Sequence, residues 1–283
     1  MSFMDIIRLL RVKQWYKNLV VFLGIFFAGN FFDTHMLLLT FVAFISLCLI
    51  SSTNYIINDI VDRKKDRKHP EKKKRPIASG KVSVLMAMII AIILAVVSFY
   101  IAVQLSMWFL VAVIALFVLT TLYTLILKNE VFIDILLISI NFVIRAVSGV
   151  FAVKVFLSPW LILCPFFFAL FLATGKRHAD VLLMKDKSKT YKKVLEHYSK
   201  EITVTLMVIT TAMLIMSYFM YIMSLNNIMI LLTLPFVLYC IFRWYQHVFN
   251  GENLARHPEL AICDVRLVAG AFITVVILFM ALY

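Results

Sequence analysis

The chain has 283 residues, is 63% hydrophobic and carries a net charge of +13. Its mean hydropathy of +0.97 sets it apart from water-soluble domains, whose apolar content is about 45–50%. That excludes a soluble globular enzyme. Nucleic acid is excluded as a partner too, because the basic residues flank apolar runs and do not line a soluble surface.

Runs long enough to cross a bilayer, about 20 residues each, are predicted at 18–33, 37–57, 83–103, 107–127, 131–153, 159–175, 202–224, 227–246 and 263–283. They give an all-α, polytopic chain of nine spans forming a single membrane domain over 1–283. Arg8, Arg11, Lys13 and Lys17 precede the first run. Residues 63–81 hold ten of the 28 Lys and Arg residues and 176–200 hold eight more, whereas the opposite connections contain only Lys154. Basic loops stay on the cytoplasmic side. The N-terminus and the loops 62–82 and 176–200 are therefore expected to face the cytoplasm of a cell-membrane protein, with the C-terminus outside. Cys48, Cys164, Cys240 and Cys263 sit in or at the edges of apolar runs without C-x-x-C spacing, which supports neither a disulfide framework nor a zinc site.

Chemistry first shows at the end of the second run. Asn54, Asn58, Asp62 and Asp66 recur every four residues, with Asp59 beside them. If the helix continues, they form one polar stripe. Crowded carboxylates repel unless a cation sits among them, and oxygen ligands completed by water and substrate phosphate are what Mg²⁺ prefers. Asn58, Asp59, Asp62 and Asp66 are thus the expected metal ligands, with Mn²⁺ as a substitute ion. Asn54, inside the apolar run, is expected to meet substrate. The next segment, Arg67 to Gly80, is broken by Pro70, Pro76 and Gly80 and supplies Lys72 and Arg75 for phosphate oxygens.

A second polar stretch, Gly175-Lys176-Arg177-His178-Ala179-Asp180, closes the sixth run. Lys176 and Asp180 share a helical face, and Lys176 with Arg177 makes this site more cationic than acidic. Lys17, ahead of the first run, and Arg145, inside the fifth with Asn141 and Asp134, complete the candidates. An intramembrane Arg is a functional hypothesis by default; its rival is a structural pairing with Asp134 or with backbone carbonyls.

On these residues the chain resembles the UbiA superfamily of intramembrane transferases. The resemblance rests on Asn58-Asp59-x-x-Asp62-x-x-x-Asp66 followed by Arg75-Pro76-Ile77-x-x-Gly80, and on the number of spans. It implies helices around a central cavity. Most members move a prenyl group from a Mg²⁺-bound diphosphate to an aromatic or other acceptor, and their second motif resembles D-x-x-x-D. Here Lys176 stands where the first Asp would be. That departure is similar to the decaprenyl-phosphate phosphoribosyltransferase branch, as are Lys13-Gln14-Trp15-x-Lys17-Asn18, His69-Pro70-x-Lys72-x-x-Arg75-Pro76, Tyr123-x-x-x-x-Lys128, Asp134 with Arg145 and Gly149, Ser158-Pro159-Trp160 and Gly175-Lys176-Arg177. The branch has Tyr and Glu where this chain has His178 and Asp180.

The resemblance implies transfer of a phosphoribosyl group from phosphoribosyl pyrophosphate (PRPP) to a polyprenyl phosphate. Asp62, Asp66, Lys176 and Asp180 would be catalytic, and Lys17, Asn54, Lys72, Arg75, Tyr123, Lys128, Arg145, Lys176 and Arg177 would bind substrate. Two alternatives stay open. One is an ordinary prenyltransferase of the same superfamily. The other is a transporter or lipid carrier, which should carry ionisable groups near mid-bilayer in several spans; here they gather at one surface, with Arg145 and Asp134 as exceptions. Oligomeric state and polyprenyl chain length have no signature in the sequence.

Overall fold

The computed structural model describes residues 3–70, 72–184, 195, 197–225 and 227–283. Glu71 and most of the second basic loop, 185–194, lie outside the described residues. Within them there is no β-strand, and the α-helices run α1 (Phe3–Leu10), α2 (Leu23–Phe27), α3 (Thr34–Val61), α4 (Arg63–Lys68), α5 (Val84–Leu105), α6 (Met107–Leu125), α7 (Ile133–Val153), α8 (Trp160–Met184), α9 (Lys200–Ser224), α10 (Leu234–Phe249), α11 (Asn253–Arg256) and α12 (Val265–Leu282). Side-chain oxygens start five of them: Asp33, Ser83, Ser106, Ser199 and Asp264 each accept a backbone N–H of the following first turn.

Eight helices among the described residues are long and apolar enough to cross a membrane. They correspond to eight of the nine expected runs. The exception is 18–33. Val12–Phe22 forms a 3₁₀ helix, five α-helical residues follow, and Gly29 ends the segment at φ 73°. The two pieces follow without a gap from Val12 to Phe27, so the segment is helical but is not one long apolar α-helix.

The chain divides into two compact units, residues 1–128 with 140–161 and residues 129–139 with 162–283. In the first, α3 packs on α5 and α6 around Leu47, Ile50, Phe109, Val113 and Leu116. Buried Ser46 and Ser98 clamp α3 to α5, each hydroxyl donating to the other residue's carbonyl at 3.1 and 2.9 Å. Gly149 on α7 allows a close approach in this unit. A Cβ there would lie 2.0 Å from the carbonyl oxygen of Val21, so only glycine lets α7 rest on the 3₁₀ segment.

In the second unit Phe171, Met207, Ile241, Trp244 and Val248 form the core. A polar knot ties α10 to the start of α12: His247 lies between Glu252 and Asp264, and Arg243 Nε donates to Asp264 Oδ2 at 2.8 Å. Burial alone would raise the Asp264 carboxyl. The hydrogen bonds from His247, Arg243 and the Leu267 N–H outweigh it and hold the group below the usual carboxylate range.

Candidate functional site

The polar stripe of the sequence does not continue straight. Helix α3 stops at Val61, Asp62 caps it, and the chain restarts as α4. The four-residue register nevertheless runs through Asp62, whose N–H bonds to the Asn58 carbonyl at 2.9 Å and whose carbonyl accepts from the Asp66 N–H at 2.8 Å. Asp59, which sequence spacing set to one side, shares a partner with Asp66. Both are buried, at 2% and 3% exposure. Arg75 Nη1 donates to Asp59 Oδ1 at 2.9 Å and to Asp66 Oδ2 at 2.7 Å, so the two carboxylates converge on one nitrogen. Arg11 pairs with Asp59 as well and lies over the Tyr55 ring, 4.8 Å from its centroid. Asp62 instead accepts from Lys128 Nζ at 2.6 Å.

The first motif is therefore three carboxylates matched by Arg11, Arg75 and Lys128. Among the described residues no three His, Cys, Asp or Glu side chains are grouped to hold an ion. The donor chemistry nevertheless fits Mg²⁺, which commonly takes one or two carboxylates and completes its shell with water and phosphate oxygens. The position between Asp59 and Asp66, now held by one guanidinium nitrogen, is where two hard oxygens meet.

Around this centre Asn54, buried on α3, accepts from Thr121 Oγ1 at 3.3 Å. Asn58 and Tyr123 are partly exposed, as is Lys72 in its short 3₁₀ turn. Lys17 lies over the Tyr16 ring at 5.9 Å. Lys64, Lys65, Lys68, Lys73 and Lys74 fringe the motif and are exposed. Deeper in the unit, Arg145 is 8% exposed. Its Nε donates to Asn18 Oδ1 at 2.8 Å and its Nη1 to the Asn141 carbonyl at 3.1 Å. The carbonyl bond is one form of the structural alternative to substrate binding. A partnership with Asp134 was not realised, since Asp134 is taken by Arg177.

The second unit holds the other motif. Arg177 is 4% exposed; its Nε donates to Asp134 Oδ2 at 2.8 Å, and Nη1 reaches Asp180 Oδ2 at 3.4 Å. Tyr198 donates to Asp134 Oδ1 at 2.8 Å, and Arg256 Nε to Asp180 Oδ1 at 3.1 Å. Burial and the hydrogen bond to Asp134 push the Tyr198 hydroxyl well above its ordinary pKa. Arg177, expected at a phosphate, thus serves to neutralise the fully buried Asp134. Lys176, one residue earlier on α8, is exposed. His178 is buried, with Nδ1 2.9 Å from Thr203 Oγ1, which gives it a packing role.

Sequence reasoning missed Arg11, Tyr198 and Arg256. Arg11 had been assigned only to topology. The signal available was Asp59 itself, because a carboxylate at the end of an apolar run needs a cation at its own level.

The model of the UbiA prenyltransferase family matches residues 18–258. The chain belongs to that family. Similar relatives are the decaprenyl-phosphate phosphoribosyltransferases of Mycolicibacterium smegmatis, 36% identical over 203 residues, 69% of this chain and 62% of that protein, and of Corynebacterium glutamicum, 33% identical over 222 residues, 75% and 65%. The UbiA-family chain thus spans just under two thirds of the length of these relatives. Its fold resembles a UbiA homologue from Archaeoglobus fulgidus bound to GPP and Mg²⁺, with a TM-score of 0.70 at 18% identity over 98% of this chain and 99% of that one.

Proposed function

We propose that this UbiA-family protein transfers the 5-phosphoribosyl group of PRPP to a polyprenyl phosphate and releases pyrophosphate. The observation that carries this is the charge of the second motif. Asp134 and Asp180 are already matched by Arg177 and Arg256, and Lys176 is exposed where D-x-x-x-D would put an acid. Within 176–180 the single acid, Asp180, stands against Lys176 and Arg177. A prenyl diphosphate with a neutral acceptor brings about three negative charges, whereas PRPP with a lipid phosphate brings roughly six or seven. A cationic second motif suits the latter pair. The names of the relatives point the same way.

In this scheme Asp59 and Asp66 would hold a divalent ion, Mg²⁺ or Mn²⁺, with Asn58 and Asp62 beside them. When bound, the ion supplies charge neutralisation to the leaving pyrophosphate. Arg75, Lys72 and Lys128 orient the pyrophosphate, and Lys176 meets the remaining phosphate. An oxygen of the lipid phosphate attacks ribose C1 from one face as the C1–oxygen bond to pyrophosphate breaks on the other. The bonding pair leaves with pyrophosphate. The nucleophile is ionised at neutral pH, so Asp180 has no proton to remove, and catalysis is positioning and electrostatics.

The test supplies purified protein and Mg²⁺ with labelled PRPP plus polyprenyl phosphate, and separately with a prenyl diphosphate plus aromatic acceptors. Product in the first arm is expected. Product in the second alone would make this an ordinary prenyltransferase, and net movement of label across vesicles without chemistry would make it a transporter.

The charge bias of the loops supports an active face on the cytoplasmic side of a single membrane domain. A cysteine introduced at 72–74 should react with an impermeant maleimide only from that side. Labelling from the outer side would reverse the orientation.

A further inference from the structure

Acids and bases of the first motif are bonded to each other. The residues expected to hold a metal, Asp59, Asp62 and Asp66, are paired with the residues expected to hold phosphate, Arg75 and Lys128, and with Arg11. The central pairs are desolvated: the Asp59 and Asp66 side chains are 2% and 4% exposed, against 25% for Arg75. Both carboxylates turn one oxygen to the same Arg75 nitrogen, at 2.9 and 2.7 Å. A cation coordinated between them would occupy the place of that nitrogen, so the two are mutually exclusive.

We infer that Arg75 is an exchangeable counter-ion, which holds the Asp59–Asp66 pair in the empty protein and yields it only when phosphate oxygens are present to receive the guanidinium. This rests on the proposed metal–phosphate site and adds a rule of occupancy to it.

The energetics set the rule. A divalent ion entering alone must expel Arg75 from two buried carboxylates and leave a guanidinium beside it, like charge against like. Removing one partner of a buried pair without replacement is strongly unfavourable. A phosphate entering alone offers Arg75 a partner but strands Asp59 and Asp66 next to a new anion. Entering together, each new ion takes the partner that the other has displaced, and every buried charge stays matched. Lys128 and Asp62, bonded at 2.6 Å, can exchange in the same way at the edge of the site. Metal and diphosphate should therefore bind with positive coupling, and the protein itself should refuse free metal. Arg75 stands 25% exposed at the outer side of the pair, so its side chain can swing without repacking the core.

Removing Arg75 should give an opposite pair of effects. The vacated carboxylates would accept a divalent ion against Arg11 alone, which stays at Asp59, while diphosphate would lose a donor. The experiment uses the full-length protein in detergent, with Mn²⁺ followed by its free-ion EPR signal and pyrophosphate as the second probe. In wild type, half-saturating Mn²⁺ should fall by about tenfold or more when the protein is saturated with pyrophosphate, after correction for the complex in solution; couplings of about 5–150-fold are typical between linked sites. In Arg75→Gln, Mn²⁺ alone should bind about tenfold tighter than to wild type, and pyrophosphate alone more weakly. Arg75→Lys keeps a cation between the carboxylates and should retain the weak wild-type affinity for Mn²⁺ alone.

Wild-type Mn²⁺ affinity that is unchanged by pyrophosphate overturns the exchange while leaving the metal–phosphate site standing. So does a folded Arg75→Gln that binds Mn²⁺ no better than wild type does. No saturable Mn²⁺ binding in wild type even with pyrophosphate sinks the site itself, and the exchange with it. The wild-type arm decides the matter even if Arg75→Gln does not fold.

Discussion

Asp66→Asn should lower turnover by about 10²–10³-fold, the size of effect seen when one electrostatic contact to a developing charge is removed. Asp66 is one of the two buried oxygens that meet at a single point, and an amide there weakens the hold on a divalent ion and on Arg75 together. Asp62→Asn should cost less, because Asp62 accepts from Lys128 away from that point. The measurement is kcat with PRPP and polyprenyl phosphate at saturating Mg²⁺, normalised to folded protein. A rate near wild type for Asp66→Asn, or full wild-type activity in EDTA, would remove the carboxylate pair from the mechanism.

Lys176 and Arg177 are neighbours in sequence, and their substitutions should part company. Lys176 is exposed on α8. Lys176→Ala should leave thermal stability within a degree or two of wild type yet cost about ten- to more than a hundredfold in kcat/KM, the loss of one charge-assisted hydrogen bond of about 1.5–3 kcal/mol. Lys176→Asp should be worse. Arg177 is buried against Asp134, whose side chain has no exposed surface. Arg177→Met should destabilise by about 3–5 kcal/mol by stranding that carboxylate. The double variant with Asp134→Asn should recover much of the loss. Full phosphoribosyl transfer by Lys176→Asp would bring the prenyltransferase alternative forward. A stable Arg177→Met would show that Asp134 does not need its guanidinium.

Periodicity and composition carried the helices well, because apolar runs of bilayer length have few other uses. They gave 18–33 as one apolar run, whereas the chain winds as 3₁₀ helix to Phe22, as α-helix to Phe27 and turns at Gly29. At the site, residue types were legible but pairings were not. Four-residue spacing put Asp62 in line with Asp66. The backbone keeps that spacing, but the side chains take different partners, Asp66 with Arg75 and Asp62 with Lys128. Arg11 sits 48 residues from Asp59, and Tyr198 64 from Asp134. Such partners are set by how helices stack, which a one-dimensional pattern does not encode. Arg145 was legible as unusual, with Asn141 one turn before it, and its partner Asn18 could be named only from coordinates.

The balance of the first motif, three acids against three bases, bears on how substrate finds it. A closed set of ion pairs projects little field into solution, so the centre does not itself attract a distant anion. That task falls to the exposed fringe of Lys64, Lys65, Lys68, Lys73 and Lys74, whose reach shrinks to about 8 Å at physiological ionic strength. Capture and commitment are then governed by different charges. Added salt should slow the encounter, as it does for steered association generally, and leave the dissociation of bound substrate almost untouched.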